Sequence, residues 1–193
     1  MFLKKISDNL YFQNILTCSE TDVRVILEIR NEERIRNNMF NKKIISLDEH
    51  LLWKKNFLQS NTDRFYCIKY KNIIVGGLGL KNYNVKKSSA DWAFYVSESR
   101  SFIGLAASIE NKALNYFFDN YKIKNIFCYV LISNTAVINL HKKFGFKKIN
   151  MNSNFEDNYS NVKKKDVLRM KLSSLEWIVN KNSIYNKFLK NDN

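Results

Sequence analysis

Apolar residues recur along the chain in two rhythms, and each change of rhythm marks an element. After Ser19-Glu20-Thr21-Asp22, which has the form of a helix start, Val23, Ile26, Leu27 and Ile29 follow at helical spacing and predict a helix over about residues 20–33. Ser46-Leu47-Asp48-Glu49 is a fuller capping box, a serine with an acid three residues on. It opens a second helix carrying His50, Leu51, Trp53, Phe57 and Leu58. The rhythm then shortens: Phe65 to Lys69, a turn at Lys71-Asn72, and Ile73 to Leu80 read as an antiparallel hairpin, with Ser89 to Val96 as the next strand. Beyond Gly104, Leu105, Ile109, Ala113, Leu114, Phe117 and Phe118 return at spacings of three and four. A strand from Ile126 to Ile132 follows, and Asn134 precedes a short helix stopped by Gly145, which can take the left-handed conformation of a helix end. Val162 to Leu172 reads as a late strand. Leu175 to Leu189 reads as a terminal helix with Leu175, Ile178, Val179, Tyr185 and Leu189 as its apolar positions. The order is strand, two helices, three strands, helix, strand, helix, strands, helix, which predicts a mixed α/β sheet with helices on both faces.

At 193 residues and 45% hydrophobic content the chain is sized for one core and one domain. Its apolar runs, Ile73 to Leu80 and Phe127 to Ile132, fall short of the roughly 20 residues that span a bilayer. Met1-Phe2-Leu3-Lys4-Lys5 lacks the long apolar segment of a signal peptide, so a cytoplasmic location is expected. The three cysteines share no ligand spacing. Cys67 and Cys128 read as small core residues of strands, and no metal site is expected. A net charge of +14 attracts anions, whether nucleic acid, anionic membrane or phosphorylated small molecules. The lysines are scattered through a lysine- and asparagine-rich chain without an arginine-rich stripe. A non-catalytic nucleic-acid-binding module therefore remains only as an alternative class, and phosphorylated ligands become the more natural partners.

Candidate chemistry concentrates in two segments. The first runs from Trp92 to Ala107, where a strand ending at Tyr95 and Val96 passes through Arg100, Ser101, Phe102, Ile103 and Gly104 into a helix opening at Leu105 and Ala106. A helix starting directly after a strand presents unpaired N–H groups and the positive end of its dipole, which suits a pyrophosphate. Alone, this is also what an ordinary strand-to-helix turn looks like. The second segment, Asn134 to Phe146, lies about thirty residues further on. Asn134, Ile138, Leu140, Gly145 and Phe146 in that spacing resemble the asparagine-helix-Gly-Phe signature of the GNAT acetyltransferases, and the preceding strand-loop-helix resembles their acyl-CoA pyrophosphate site. The resemblance covers roughly residues 10–172. It implies a mixed, mostly antiparallel sheet splayed between the strands near 89–96 and 126–132, a domain over 1–173 and a helical extension over 174–193. It also implies acetyl-CoA as co-substrate, with Val96, Arg100 to Ala106, Asn134 and Lys143 as its contacts. Two positions depart from the family pattern. Ser101 stands where glutamine or arginine is usual, with Arg100 one place earlier, and His141 stands where many members carry the tyrosine that reprotonates the CoA thiolate.

A narrower resemblance lies in the first sixty residues. Arg30-Asn31, Arg36-Asn37-Asn38-Met39, Ile44 to His50 and Trp53 are similar to the N-terminal half of the enzymes that N-acetylate UDP-4-amino-4,6-dideoxy-N-acetyl-β-L-altrosamine in pseudaminic acid biosynthesis. It implies a UDP-amino sugar acceptor, with Arg30 and His50 near phosphate and Met39, Phe40 and Trp53 beside the base. Arginine suits a diphosphate and aromatics suit a uracil. Core packing would equally account for Met39 and Trp53, and a surface ion pair for Arg30. In the family the amine attacks the thioester directly, and a backbone N–H near Tyr95 or Val96 polarises the carbonyl. His141 would then be the proton donor, a transfer downhill by roughly 2.7 kcal/mol on reference values of about 6.5 and 8.5. Asp91, Glu98 or an ordered water are the options for the base. Another amine, such as a different nucleotide-amino sugar or a protein N-terminus, is the alternative acceptor. Polyamines fit a strongly positive protein worst. Neither nucleic acid nor membrane is expected as a partner, and a homodimer is allowed.

Overall fold

The computed structural model describes residues 6–151 and 163–189. In chain order its elements are β1 (Leu10–Asn14), α1 (Glu20–Asn31), α2 (Glu33–Asn37), α3 (Leu47–Gln59), β2 (Arg64–Tyr70), β3 (Ile73–Asn84) and β4 (Ser89–Val96). They continue with α4 (Leu105–Tyr121), β5 (Asn125–Leu131), α5 (Thr135–Lys143), β6 (Lys147–Ile149), β7 (Val167–Ser173) and α6 (Ser174–Leu189). The strands form one seven-stranded sheet in the order β1-β2-β3-β4-β5-β7-β6. Lys71 and Asn72, both at positive φ, make the tight turn between β2 and β3. Every neighbouring pair is antiparallel except β4 and β5, which run parallel because α4 carries the chain across between them.

Alternation along the strands sorts two cores onto opposite faces of the sheet. On β2, Tyr66 and Ile68 point into the larger core with Ile109, Leu114 and Phe117 of α4, Ile138 of α5 and Trp177 of α6. Phe65 and Cys67 point the other way, against Val23, Ile26 and Ile29 of α1 and the partly buried Trp53 and Phe57 of α3. Helices therefore cover both faces, as the sequence predicts. Cys67 and Cys128 are buried as expected, and so is Cys18, whose Sγ lies 3.4 Å from that of Cys67. Among the described residues no helix is long and apolar enough to cross a membrane.

Four details differ from the sequence reading. Helix α1 stops at Asn31 because Glu32 turns extended, at φ −53° and ψ 134°, and α2 starts afresh. Leu51 and Leu58 of α3 are exposed while His50 is buried. The late strand begins at Val167 after a turn of 3-10 helix, and the short β6, with no alternating signal in Lys147-Lys148-Ile149, pairs along it. Val162 lies outside the described residues. On α6 the predicted apolar face is the wrong one: Leu175, Ile178 and Val179 are 75%, 58% and 78% exposed, whereas Trp177 and Ile184 enter the core. Trp177 stacks on Phe144 and donates its indole N–H to Asn115 Oδ1, and one anchored tryptophan outweighs three exposed aliphatics in setting the helix rotation. The side chains of Tyr185 and Leu189 lie outside the described set.

Candidate active site

Strands β4 and β5 part company soon after they meet. They pair only at Ser89↔Asn125, Ala90↔Ile126 and Asp91↔Phe127, while β4 stays paired with β3 as far as Val96 and β5 with β7 as far as Leu131. From Trp92 and Cys128 onward the two backbones face an opening. Gly76 lets β3 follow β4 to its end, since a Cβ there would stand 2.0 Å from the Tyr95 carbonyl oxygen. At the mouth of the opening the chain leaves β4 and enters α4 at Gly104, which has φ 85°. No side chain caps α4; the Leu105 N–H donates to the Phe102 carbonyl at 3.1 Å, and the next N–H groups of the first turn have neither an intrahelical nor a side-chain partner. Their positive end faces the loop that contains the exposed Phe102 and Ile103.

That loop is fastened from behind. The Glu32 carboxylate accepts from Ser97 Oγ at 2.6 Å and from the Glu98 backbone N–H at 2.8 Å, and Arg100 donates to the Ile74 carbonyl at 2.7 Å. Arg100 is thus anchored on β3, which leaves backbone amides as the main anion donors at the helix start.

On the far side of the opening lies α5. Asn134 caps it by accepting from the Val137 N–H at 3.3 Å. At the other end Gly145, at φ 92°, lets the Phe146 N–H reach the His141 carbonyl and its own N–H reach that of Lys142, both at 3.0 Å. Asn134, Gly145 and Phe146 thus define the start and stop of a nine-residue helix, which gives their spacing a folding reason besides any ligand role. His141 comes out on the buried face of that helix, 3% exposed, walled by Trp92, Phe94 and Phe146. Its Nδ1 lies 2.8 Å from Oε1 of Glu110, a fully buried acid on α4. Burial alone would lower the imidazole, but Glu110 and the neighbouring Cys128 outweigh it and raise its pKa to about 10. Desolvation pushes the Glu110 carboxyl upward in turn. Glu110 escaped the sequence reading, although an acid beside Ile109 on an otherwise apolar helix face was a signal.

The residues expected around an acceptor do not all meet. His50 stacks on Trp53 at 4.8 Å and 22°, Trp53 abuts Phe65 at 4.8 Å, and Phe65 leads to Tyr95 at the end of β4. Met39 packs into the same cluster. Phe40, one residue on, packs across the opening with Tyr129, Leu131 and Val167. His50 is 3% exposed, and burial lowers its pKa to about 4, so it carries no charge to offer a phosphate; its Nε2 has no hydrogen-bond partner. Arg30 donates from Nη2 to the Asn41 carbonyl at 2.7 Å, while its Nη1 is buried without a partner. With Asn31 bonded in both directions to Ile45, and Arg36 donating to Lys42, it staples the 38–45 loop against α1 and α2.

The same face of the sheet holds further residues, of which the sequence points only to Asp91, as a candidate base. By register Lys81, Asp91, Phe127 and Lys171 share one row, and Gly79, Ala93, Tyr129 and Arg169 the next. Asp91 sits at the fork, accepting from Asn82 Nδ2 at 2.8 Å, and burial raises its pKa.

The chain matches the acetyltransferase (GNAT) domain over residues 15–163. It is 25% identical over 150 residues to the spermidine N(1)-acetyltransferase of Vibrio cholerae, covering 77% of this chain and 86% of that protein. To the acetyltransferase PseH of Campylobacter jejuni it is 22% identical over 134 residues, 69% of this chain and 82% of that protein. Among solved structures, the Vibrio cholerae spermidine N-acetyltransferase with CoA and spermine superposes at a TM-score of 0.75 and 20% identity, covering 89% of this chain and 99% of that one. Campylobacter jejuni PseH with acetyl coenzyme A superposes at 0.65 and 16%, covering 86% and 99%.

Proposed function

The chain belongs to the GNAT acetyltransferase family, and on that premise we propose that it moves the acetyl group of acetyl-CoA to the 4-amino group of a UDP-linked amino-dideoxy sugar. The observation that carries the acetyl-CoA half is the opening between β4 and β5 with the uncapped start of α4 at its mouth. A pyrophosphate fits those first-turn amides, pantetheine fits between the parted backbones, and Asn134 stands at the other lip. The acceptor half is supported by the likeness to PseH, by the residues of α1 to α3 that brought the resemblance forward, and by the charge of +14. The likeness to the spermidine enzyme favours a second reading, a polyamine acceptor, which that charge opposes.

In the proposed reaction the neutral amine attacks the thioester carbon, the backbone N–H of Tyr95 or Val96 polarises the carbonyl, and the C–S bond breaks without an acyl-enzyme. Neither candidate carboxylate reaches the reacting amine directly. Asp91 lies four residues, about 13 Å of extended strand, before Tyr95. Glu98 is exposed and ion-paired with Arg34, which leaves an ordered water as the base. His141 is assigned the return of a proton to the thiolate. Glu110 keeps the imidazolium populated at neutral pH, and it also reverses the energetics expected from sequence: donation to a thiol of about 8.5 becomes uphill by roughly 2 kcal/mol. Mass spectrometry of products from UDP-amino sugars, dTDP-amino sugars and spermidine tests the acceptor. Acetylation of spermidine alone would sink the sugar assignment.

A further inference from the structure

Arg169 lies on the open face of the sheet and plays no part in the reaction as described. Its guanidinium carbon stands 4.6 Å from the ring centroid of Phe127 and 5.7 Å from that of Tyr129, so the group lies across both rings of β5. One terminal nitrogen donates to the Asn150 carbonyl at 3.2 Å, and Nε is buried with no hydrogen-bond partner. Register puts it on the same face as Asp91, Ala93 and Tyr95, across the opening from them. Between them stands β5, whose Phe127 and Tyr129 rings carry the guanidinium, and the exposed Ala93 keeps the β4 side of the opening low. A flat guanidinium held by two aromatic rings keeps its remaining N–H groups aimed in one direction, which suits a phosphate better than a mobile lysine would. Lys171 adjoins it on β7 in the next row, Lys81 stands at the far end of that row three strands away, and Asp91 is the acid that faces it.

We propose that Arg169 is the acceptor-specificity residue of this enzyme, receiving the diphosphate of a nucleotide sugar whose amine is presented over Ala93 to the end of β4. The proposal rests on the nucleotide-sugar reading above and moves the anion contact away from Arg30, which staples its own loop, and His50, which is neutral. Arg169 and the end of β4 are one to two side-chain rows and about two strands apart, on the order of 10 Å. A hexose bearing its amine at one end and a diphosphate at the other is of that length. A polyamine would bring a second positive charge to the same guanidinium and be repelled.

The test compares Arg169→Gln and Arg169→Lys with the wild type in acetylation of a UDP-amino sugar and in binding of plain UDP and of acetyl-CoA by calorimetry. Arg169→Gln is expected to weaken UDP binding and raise the acceptor KM by roughly ten- to a hundredfold, with acetyl-CoA affinity unchanged, and Arg169→Lys to recover part of the loss. A loss of acetyl-CoA affinity in parallel would make Arg169 merely structural and overturn the proposal. So would UDP binding unchanged in Arg169→Gln, while leaving the nucleotide-sugar reading intact. A wild type that binds no UDP and acetylates spermidine instead would overturn both. If Arg169→Gln does not fold, Arg169→Lys decides alone: an unchanged UDP affinity there counts against a bidentate guanidinium contact.

Discussion

At the scale of single residues, the Glu110–His141 pair is the most consequential finding. The folded pair holds one proton to about pH 10, whereas an unfolded histidine releases it near 6.5. Since the folded pKa is raised, the stability it contributes is fully present below about pH 6.5 and is lost as pH climbs towards 10. His141→Gln should flatten that alkaline loss in a series of thermal melts. Glu110→Gln removes the charge that outweighs burial, so the imidazole should lose its proton below neutrality and turnover should acquire an inflection on the acid side of pH 7 that the wild type lacks. An unaltered pH profile in a folded Glu110→Gln enzyme would remove His141 from the proton path. Gly104 is constrained in a different way. At φ 85° a β-branched side chain is strained, so Gly104→Val should cost about 1–3 kcal/mol of stability as well as raising the KM for acetyl-CoA. Gly104→Asn, which tolerates that backbone, separates the two effects: a raised KM at near-normal stability assigns the loop to the pyrophosphate, and an unchanged KM withdraws the assignment.

At the scale of elements, what was legible in the sequence was whatever local chemistry decides. The capping box at Ser46, the turn at Lys71-Asn72, strand β4 from Ser89 to Val96, and the boundaries of α5 between Asn134 and Gly145 all follow from caps, turns and periodicity within a few residues. What was hidden depends on distant partners. Helix α1 breaks at Glu32 because its carboxylate is engaged 65 residues away, at Ser97. Strand β6 exists only as an edge on β7, and α6 turns to bury Trp177 against Phe144 and Asn115. The site shows the same division. Gly104 and Asn134 announce themselves through helix starts, whereas the row of Asp91, Phe127, Arg169 and Lys171 appears only once β4, β5 and β7 are set side by side.

At the scale of the molecule, a net charge of +14 surrounds an opening proposed to take two polyanionic ligands. Attraction of that kind is long-ranged at low salt and screened within a Debye length of about 10 Å at 0.1 M. Raising ionic strength from about 0.02 to 0.3 M should therefore lower kcat/KM for a UDP-amino sugar several-fold, mainly through KM. For a cationic acceptor the same change should leave kcat/KM unchanged or increase it. A salt response of that second kind with the true acceptor would contradict an anionic substrate.

The fastening made by Glu32 reaches further than its two hydrogen bonds. One carboxylate ties the junction of α1 and α2, which packs on the sheet face where the acceptor amine is proposed to arrive, to Ser97 and Glu98, where the chain turns towards the start of α4. Two substrates that each stiffen one end of such a tie lower the ordering cost of the other, so each should strengthen the other's binding by the same factor, as thermodynamic reciprocity requires. UDP titrated with and without CoA should show mutual enhancement of at least about fivefold in the wild type. Glu32→Ala, which cuts the tie while leaving both sets of contacts in place, should reduce that factor towards one. Enhancement that survives the cut would mean that the two halves of the site communicate through the sheet itself.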